Sequence, residues 1–158
     1  MNSTADEVRN GTSYTKTMLI QAAPERLYRA VSTAEGIRGW WSDKTTQQGN
    51  LITVDFWTDL TQTLELEELD PGKHATWHWL TQHFVVEGTD QTDEWVGTRV
   101  VFEIEPTGDG GSKLVLTHQG LTPHLVCYDS CSVGWDGALE SLRAYLEQGA
   151  GTPYVEAA

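Results

Sequence analysis

Positive charge is scarce in this chain. Ten lysines and arginines stand against 23 aspartates and glutamates, for a formal charge of −13 over 158 residues. A field of that sign repels phosphate backbones and anionic lipid, which argues against nucleic acid and membrane surfaces as partners. Acidity also keeps a protein soluble, and that bland reading is the more common cause of it. Long apolar runs are missing too: no window approaches the roughly 20 residues of a spanning helix. The opening MNSTADEVRNGT is polar and lacks the charged-then-apolar order of a secretory signal. It reads as a tail over residues 1–12 of a cytoplasmic protein. Cysteine is almost absent, and Cys127 and Cys131 are expected as reduced thiols. There is no G-x-S-x-G, phosphate loop or dinucleotide fingerprint, and Ser130 and Ser132 have no base at a recognised spacing.

Tryptophan, by contrast, is abundant. Seven residues are Trp, clustered as Trp40 with Trp41 and Trp77 with Trp79, then Trp57, Trp95 and Trp135. Rings at this density line a cavity as readily as they fill a core.

Periodicity orders the rest. Tyr14 to Gln21 alternates in polarity and predicts a strand, ended by Ala22-Ala23-Pro24. Pro24 suits the first turn of a helix carrying Leu27, Ala30 and Val31. Thr33 is placed to cap a second short helix through Ile37 to Trp40 and Trp41, weakened by Gly36 and Gly39. The period then becomes two. Ile52, Val54 and Phe56 alternate with polar residues, as do Leu64 and Leu66, then Ala75, Trp77 and Trp79 after the Asp70-Pro71-Gly72 turn. Ser42 to Asn50 and Gln82 to Asp93 read as loops able to gate a pocket. Val100, Phe102 and Ile104, then Leu114, Leu116 and His118, form two more strands about the Gly108–Gly111 turn. Trp135, Leu139, Leu142 and Leu146 mark one face of a long helix, with Asp129, Ser130 or Thr122-Pro123 at its start and Gly149 at its end.

The implied fold is α+β. About six antiparallel strands pack one face against a long C-terminal helix, and two short helices follow the first strand. One domain spans residues 13–149, and 150–158 form a tail.

Four local patterns resemble the START-like, or SRPBCC, superfamily with its helix-grip (birch-pollen-allergen) fold. They fit its branch related to the C-terminal domain of the activator of heat-shock protein 90 ATPase. The patterns are AAPERLYRAV from Ala22, AEGIRGWW from Ala34, ELDPGK from Glu68 leading into Trp77-His78-Trp79, and LTHQGL from Leu116 followed by Gly134-Trp135 and Leu139-x-x-Leu142-x-x-Tyr145-Leu146. The resemblance implies a curved antiparallel sheet wrapped around the long C-terminal helix, with a pocket between them. Relatives bind lipids, hormones or polyketides, and some cyclise or hydrate substrates.

The expected site is therefore a wall of Phe56, Trp77, Trp79, Phe102, Leu116 and His118. It faces Trp135, Leu139 and Leu142, with Trp40 and Trp41 near one end. This lining would hold a hydrophobic or aromatic small molecule without catalysis; a packed core is the competing reading. His118, the one titratable group expected to face inward, would serve as acid or base in a cyclase or hydratase. No inward carboxylate is evident beside it, and Glu65/Glu67 and Glu103/Glu105 fall on the solvated face. His124, Cys127 and Cys131 have metal-ligand chemistry, but a closed zinc site needs four ligands. Both cysteines also continue the helix stripe as small buried groups. No cofactor or metal is expected. The partner is a small molecule or, for an interaction module related to the activator, a protein; the state is a monomer or weak homodimer.

Overall fold

The computed structural model describes residues 13–55, 60–84, 95–122 and 128–153. Among them the order is β1 (Tyr14–Ile20), α1 (Pro24–Ser32), α2 (Ala34–Arg38), β2 (Lys44–Gln48), β3 (Leu51–Asp55), β4 (Leu60–Asp70), β5 (His74–Phe84), β6 (Arg99–Pro106), β7 (Ser112–Gln119) and α3 (Tyr128–Gln148). The strands form one sheet in the order β1-β7-β6-β5-β4-β3-β2, and every pairing is antiparallel. The chain crosses through α1 and α2 to the far edge, then meanders back until β7 lies beside β1.

Local chemistry sets the ends of these elements. Pro24 occupies the first turn of α1, where a missing N–H has no partner to lose. Thr33 Oγ1 accepts the Gly36 N–H at 3.0 Å and caps α2. The β6–β7 turn places Gly108 and Gly110 at φ 91° and 90°, a region that side chains disfavour.

Two sequence expectations are corrected. Seven strands form where the periodicity predicts about six, because β2 occupies most of the predicted loop Ser42 to Asn50. Its inward residue is Thr45, 1% exposed, whose hydroxyl donates to the Ser42 carbonyl at 2.6 Å. A strand that buries a threonine shows no apolar alternation. Asp129 and Ser130 do not cap the last helix but lie within it, since its described part runs from Tyr128.

Two register shifts between β4 and β5 curve the sheet. Thr63 pairs with Thr81 and Leu64 with Trp79, leaving Leu80 as the extra residue; further on, Glu67 pairs with Thr76 and Asp70 with His74. Glu68, inside the second irregularity, adopts φ 49°. Such bulges bend a strand and increase its twist. The concave face carries Ala75, Trp77, Trp79, Val100, Phe102, Ile104, Leu114 and Leu116, all at most 4% exposed. Trp135, Leu139, Leu142 and Leu146 of α3 complete the same core.

Candidate functional site: an aromatic cluster between sheet and helix

Four elements and two connecting segments deliver rings to one place. β5 supplies Trp77 and Trp79, β6 Phe102, β7 His118 and α3 Trp135. The segment after α2 adds Trp40 and Trp41, and the turn before β6 adds Trp95. Trp41 lies nearly parallel to Trp77 (5.2 Å between centroids) and to Trp135 (5.5 Å). Trp95 is parallel to Trp135 within 2° at 6.0 Å. It meets Trp79 edge-on at 4.9 Å and His118 at 4.4 Å. Phe102 packs on Trp77 at 4.7 Å. These offset and edge-to-face arrangements are the ones ring quadrupoles favour.

Buried indoles need acceptors, and most have one. Trp40 Nε1 donates to the Ala30 carbonyl at 2.8 Å and Trp77 Nε1 to the Val31 carbonyl at 2.7 Å, pinning α1 to the cluster. Trp79 Nε1 donates to Gln62 Oε1 at 2.7 Å. Trp135 Nε1 donates to His118 Nδ1 at 3.0 Å. Trp95 Nε1, buried, has no partner.

His118 is fully buried, as its place in the alternation of β7 predicts. The bond from Trp135 fixes Nδ1 as an acceptor, so the ring proton is assigned to Nε2. Nε2 then donates to Thr98 Oγ1 at 2.9 Å, and that hydroxyl donates to the Trp95 carbonyl at 2.6 Å. Burial pushes the imidazole down to about 3. His118 is therefore a neutral link whose two ring nitrogens are both engaged. Taking a substrate proton at Nδ1 would first break the bond from Trp135.

Of the residues expected at the site, Trp40, Trp77, Trp79, Phe102, Leu116, His118, Trp135, Leu139 and Leu142 are all buried in one core. Trp41 packs against it, half-buried. Trp40 stacks on Trp41 at 5.9 Å with its N–H turned to α1. Phe56, Trp57, His124 and Cys127 lie outside the described residues, while Cys131 packs half-buried against the core. Trp95 is the contributor that sequence reasoning missed: it follows a polar stretch with no periodic neighbours, and only its residue type could have singled it out.

The other face of the sheet behaves differently. Glu65, Glu67 and His78 bring possible metal-ligand atoms within 4.8 Å of one another. Glu67 is, however, already bonded to Arg99 Nε at 3.1 Å and to His78 Nδ1 at 3.0 Å. Burial raises its carboxyl, but those two partners outweigh it and hold the group below its ordinary value. A separate cleft of about 130 Å³ between α1, α2 and α3 is lined by Arg26, Arg29, Thr33, Glu35 and Tyr145. Its mixed charges give it a character unlike that of the aromatic cluster. No described helix is long and apolar enough to cross a membrane.

A curved antiparallel sheet gripping a long C-terminal helix, with two short helices after the first strand and an aromatic interior, defines a helix-grip domain of the START-like superfamily. Residues 21–147 match the profile of the family described as Activator of Hsp90 ATPase homolog 1-like protein, and the chain belongs to that family. Solved structures agree on the fold. The Aha1 dimer from Colwellia psychrerythraea is 22% identical, with a TM-score of 0.71 over 88% of this chain and 98% of that one. Protein MLL2253 from Mesorhizobium loti is 21% identical, with a TM-score of 0.66 over 85% and 98%. DynU16, from the dynemicin biosynthetic locus, is 15% identical, with a TM-score of 0.59 over 87% of this chain and 48% of that one. No curated protein matches the chain.

Proposed function

We propose that this protein binds an apolar, ring-bearing small molecule in a chamber between the sheet and α3, and that it does so without chemistry. The observation that carries the reading is the state of Trp41. Its ring has Trp77 and Trp135 parallel to it at 5.2 and 5.5 Å, yet it remains half-buried while they are closed off. An indole held among other indoles and still partly open to solvent is placed to stack on an incoming ring. The closed chain of bonds through His118 supports binding over catalysis, because it engages both imidazole nitrogens. A protein-interaction module is the second reading. It draws on the family's description, on the dimeric Colwellia relative, and on Leu19 and Val133, 61% and 70% exposed. Those two side chains stand on β1 and α3, and single exposed apolar residues are normal on any surface.

The test is native mass spectrometry of the purified protein, followed by thermal unfolding with added 2-isopropenylnaphthalene. An organic adduct on the isolated protein, or a rise in melting temperature with the probe, supports the reading. At a hundredfold excess over Kd the gain is about 2.7 kcal/mol. No adduct and no shift up to the solubility of the probe would contradict it, and concentration-dependent self-association would then favour the interaction module.

A further inference from the structure

We propose that the indole N–H of Trp95 and the hydroxyl of Ser132 form a polar end of the chamber and select a planar apolar ligand carrying a neutral acceptor oxygen. This rests on the ligand-binding reading above. Trp95 is 8% exposed, and its Nε1 is the one indole nitrogen without a partner among the five buried tryptophans described. Ser132 Oγ is likewise buried and without a partner. Buried donors left unpaired are rare, because the lost hydration is not repaid.

Both donors belong to neighbours of Trp135. Ser132 precedes Trp135 by three residues on α3, and long helical side chains lean back over the preceding turn. Trp135 therefore leans toward the turn that carries Ser132, while Trp95 stacks on its ring at 6.0 Å. An indole N–H only donates, so the complementary ligand atom must accept. Charge narrows the choice further. No lysine or arginine is among the buried residues described, and the chain carries −13 overall, so a carboxylate would enter without a counter-ion. A carbonyl oxygen meets every condition; a ligand with only donor groups would leave Trp95 unpaired.

The test compares 2-acetylnaphthalene with 2-isopropenylnaphthalene, which differ by an oxygen in place of a CH₂ group at nearly the same shape. The ketone is expected to bind roughly tenfold tighter, as two new hydrogen bonds allow. The Trp95 indole N–H resonance should move on adding the ketone and stay in place with the hydrocarbon. Trp95→Phe should cut the ketone's preference over the hydrocarbon, read as a ratio within the variant, from about tenfold to about threefold. If that variant fails to fold, the same ratio in Ser132→Ala, expected to fall about threefold, and the wild-type indole resonance carry the comparison. Equal affinities with an unmoved indole would overturn this inference, assigning both donors to water, and leave the chamber standing. Binding of neither probe would overturn the chamber as well.

Discussion

Replacing His118 with Asn tests the buried imidazole through the pH dependence of stability. Burial pushes its pKa from an ordinary 6.5 down to about 3. Above 6.5 the ring is neutral in both folded and unfolded chains, and its burial carries no protonation penalty. Between 6.5 and about 3 only the unfolded chain takes up the proton, so stability falls as the pH falls. Below about 3 the native state protonates too, and the loss levels off. The slope within that window is about 1.4 kcal/mol per pH unit, which amounts to about 2 kcal/mol on going from neutrality to roughly pH 5. Asn keeps an acceptor for the Trp135 N–H near the position of Nδ1 but cannot titrate. Near pH 7.5 the variant should be less stable by about 1–3 kcal/mol, for the lost Thr98 bond and the smaller side chain. That gap should close by about 2 kcal/mol near pH 5, because only the wild type loses this contribution. Urea unfolding followed by far-ultraviolet circular dichroism at several pH values measures the gap directly. The acidic groups common to both proteins cancel in the difference. Parallel stability curves would instead mean that the folded chain binds the proton as readily as the unfolded one, against the burial of His118.

The remaining predictions concern packing and the proposed site. A Cβ at Gly36 would sit 2.5 Å from both the Ala30 Cα and the Arg29 carbonyl oxygen, whereas at Gly39 it would meet the Tyr145 ring at 2.2 Å. Both alanine variants should lose about 1–3 kcal/mol, but only Gly39→Ala should be rescued by Tyr145→Ala in a double-mutant cycle, because backbone cannot be trimmed. Ser141→Ala removes the donor to the Trp40 carbonyl (2.6 Å) and the acceptor for the Thr152 N–H (2.7 Å). It should lower stability by about 1–3 kcal/mol and speed hydrogen exchange at Thr152. Trp41→Ala should cost less stability than Trp135→Ala, for which about 3–5 kcal/mol is expected, yet reduce naphthalene binding at least about tenfold. Calorimetric melting and probe titration separate the two effects.

Much of the fold was legible because alternation and helical spacing report burial directly. Ala75-Trp77-Trp79 on β5, Leu114-Leu116-His118 on β7 and the Trp135-Leu139-Leu142 stripe on α3 each face inward as their spacing predicts. The Thr33 cap and Pro24 at the start of α1 were equally readable, being local chemistry. Other features carried no such signal. β2 buries a threonine rather than an apolar residue, so its strand pattern is silent. The bulges at Leu80 and about Glu68 occur at ordinary residues, without the glycine that would mark them. His118's partners, Thr98 and Trp135, come from the segment just before β6 and from the helix, so only the folded arrangement reveals that both nitrogens are engaged. Trp95 was hidden for the same reason. Its neighbours Trp79, His118 and Trp135 arrive from three separate elements.

Isotope-filtered nuclear Overhauser spectroscopy with unlabelled 2-isopropenylnaphthalene locates the proposed chamber, in which an apolar ring enters between the sheet and α3. Contacts are expected from the probe to the ring protons of Trp41 and Trp135 and to the methyl groups of Leu139. Contacts confined to exposed side chains such as Leu19 or Val133, or none at saturation with probe, would contradict it.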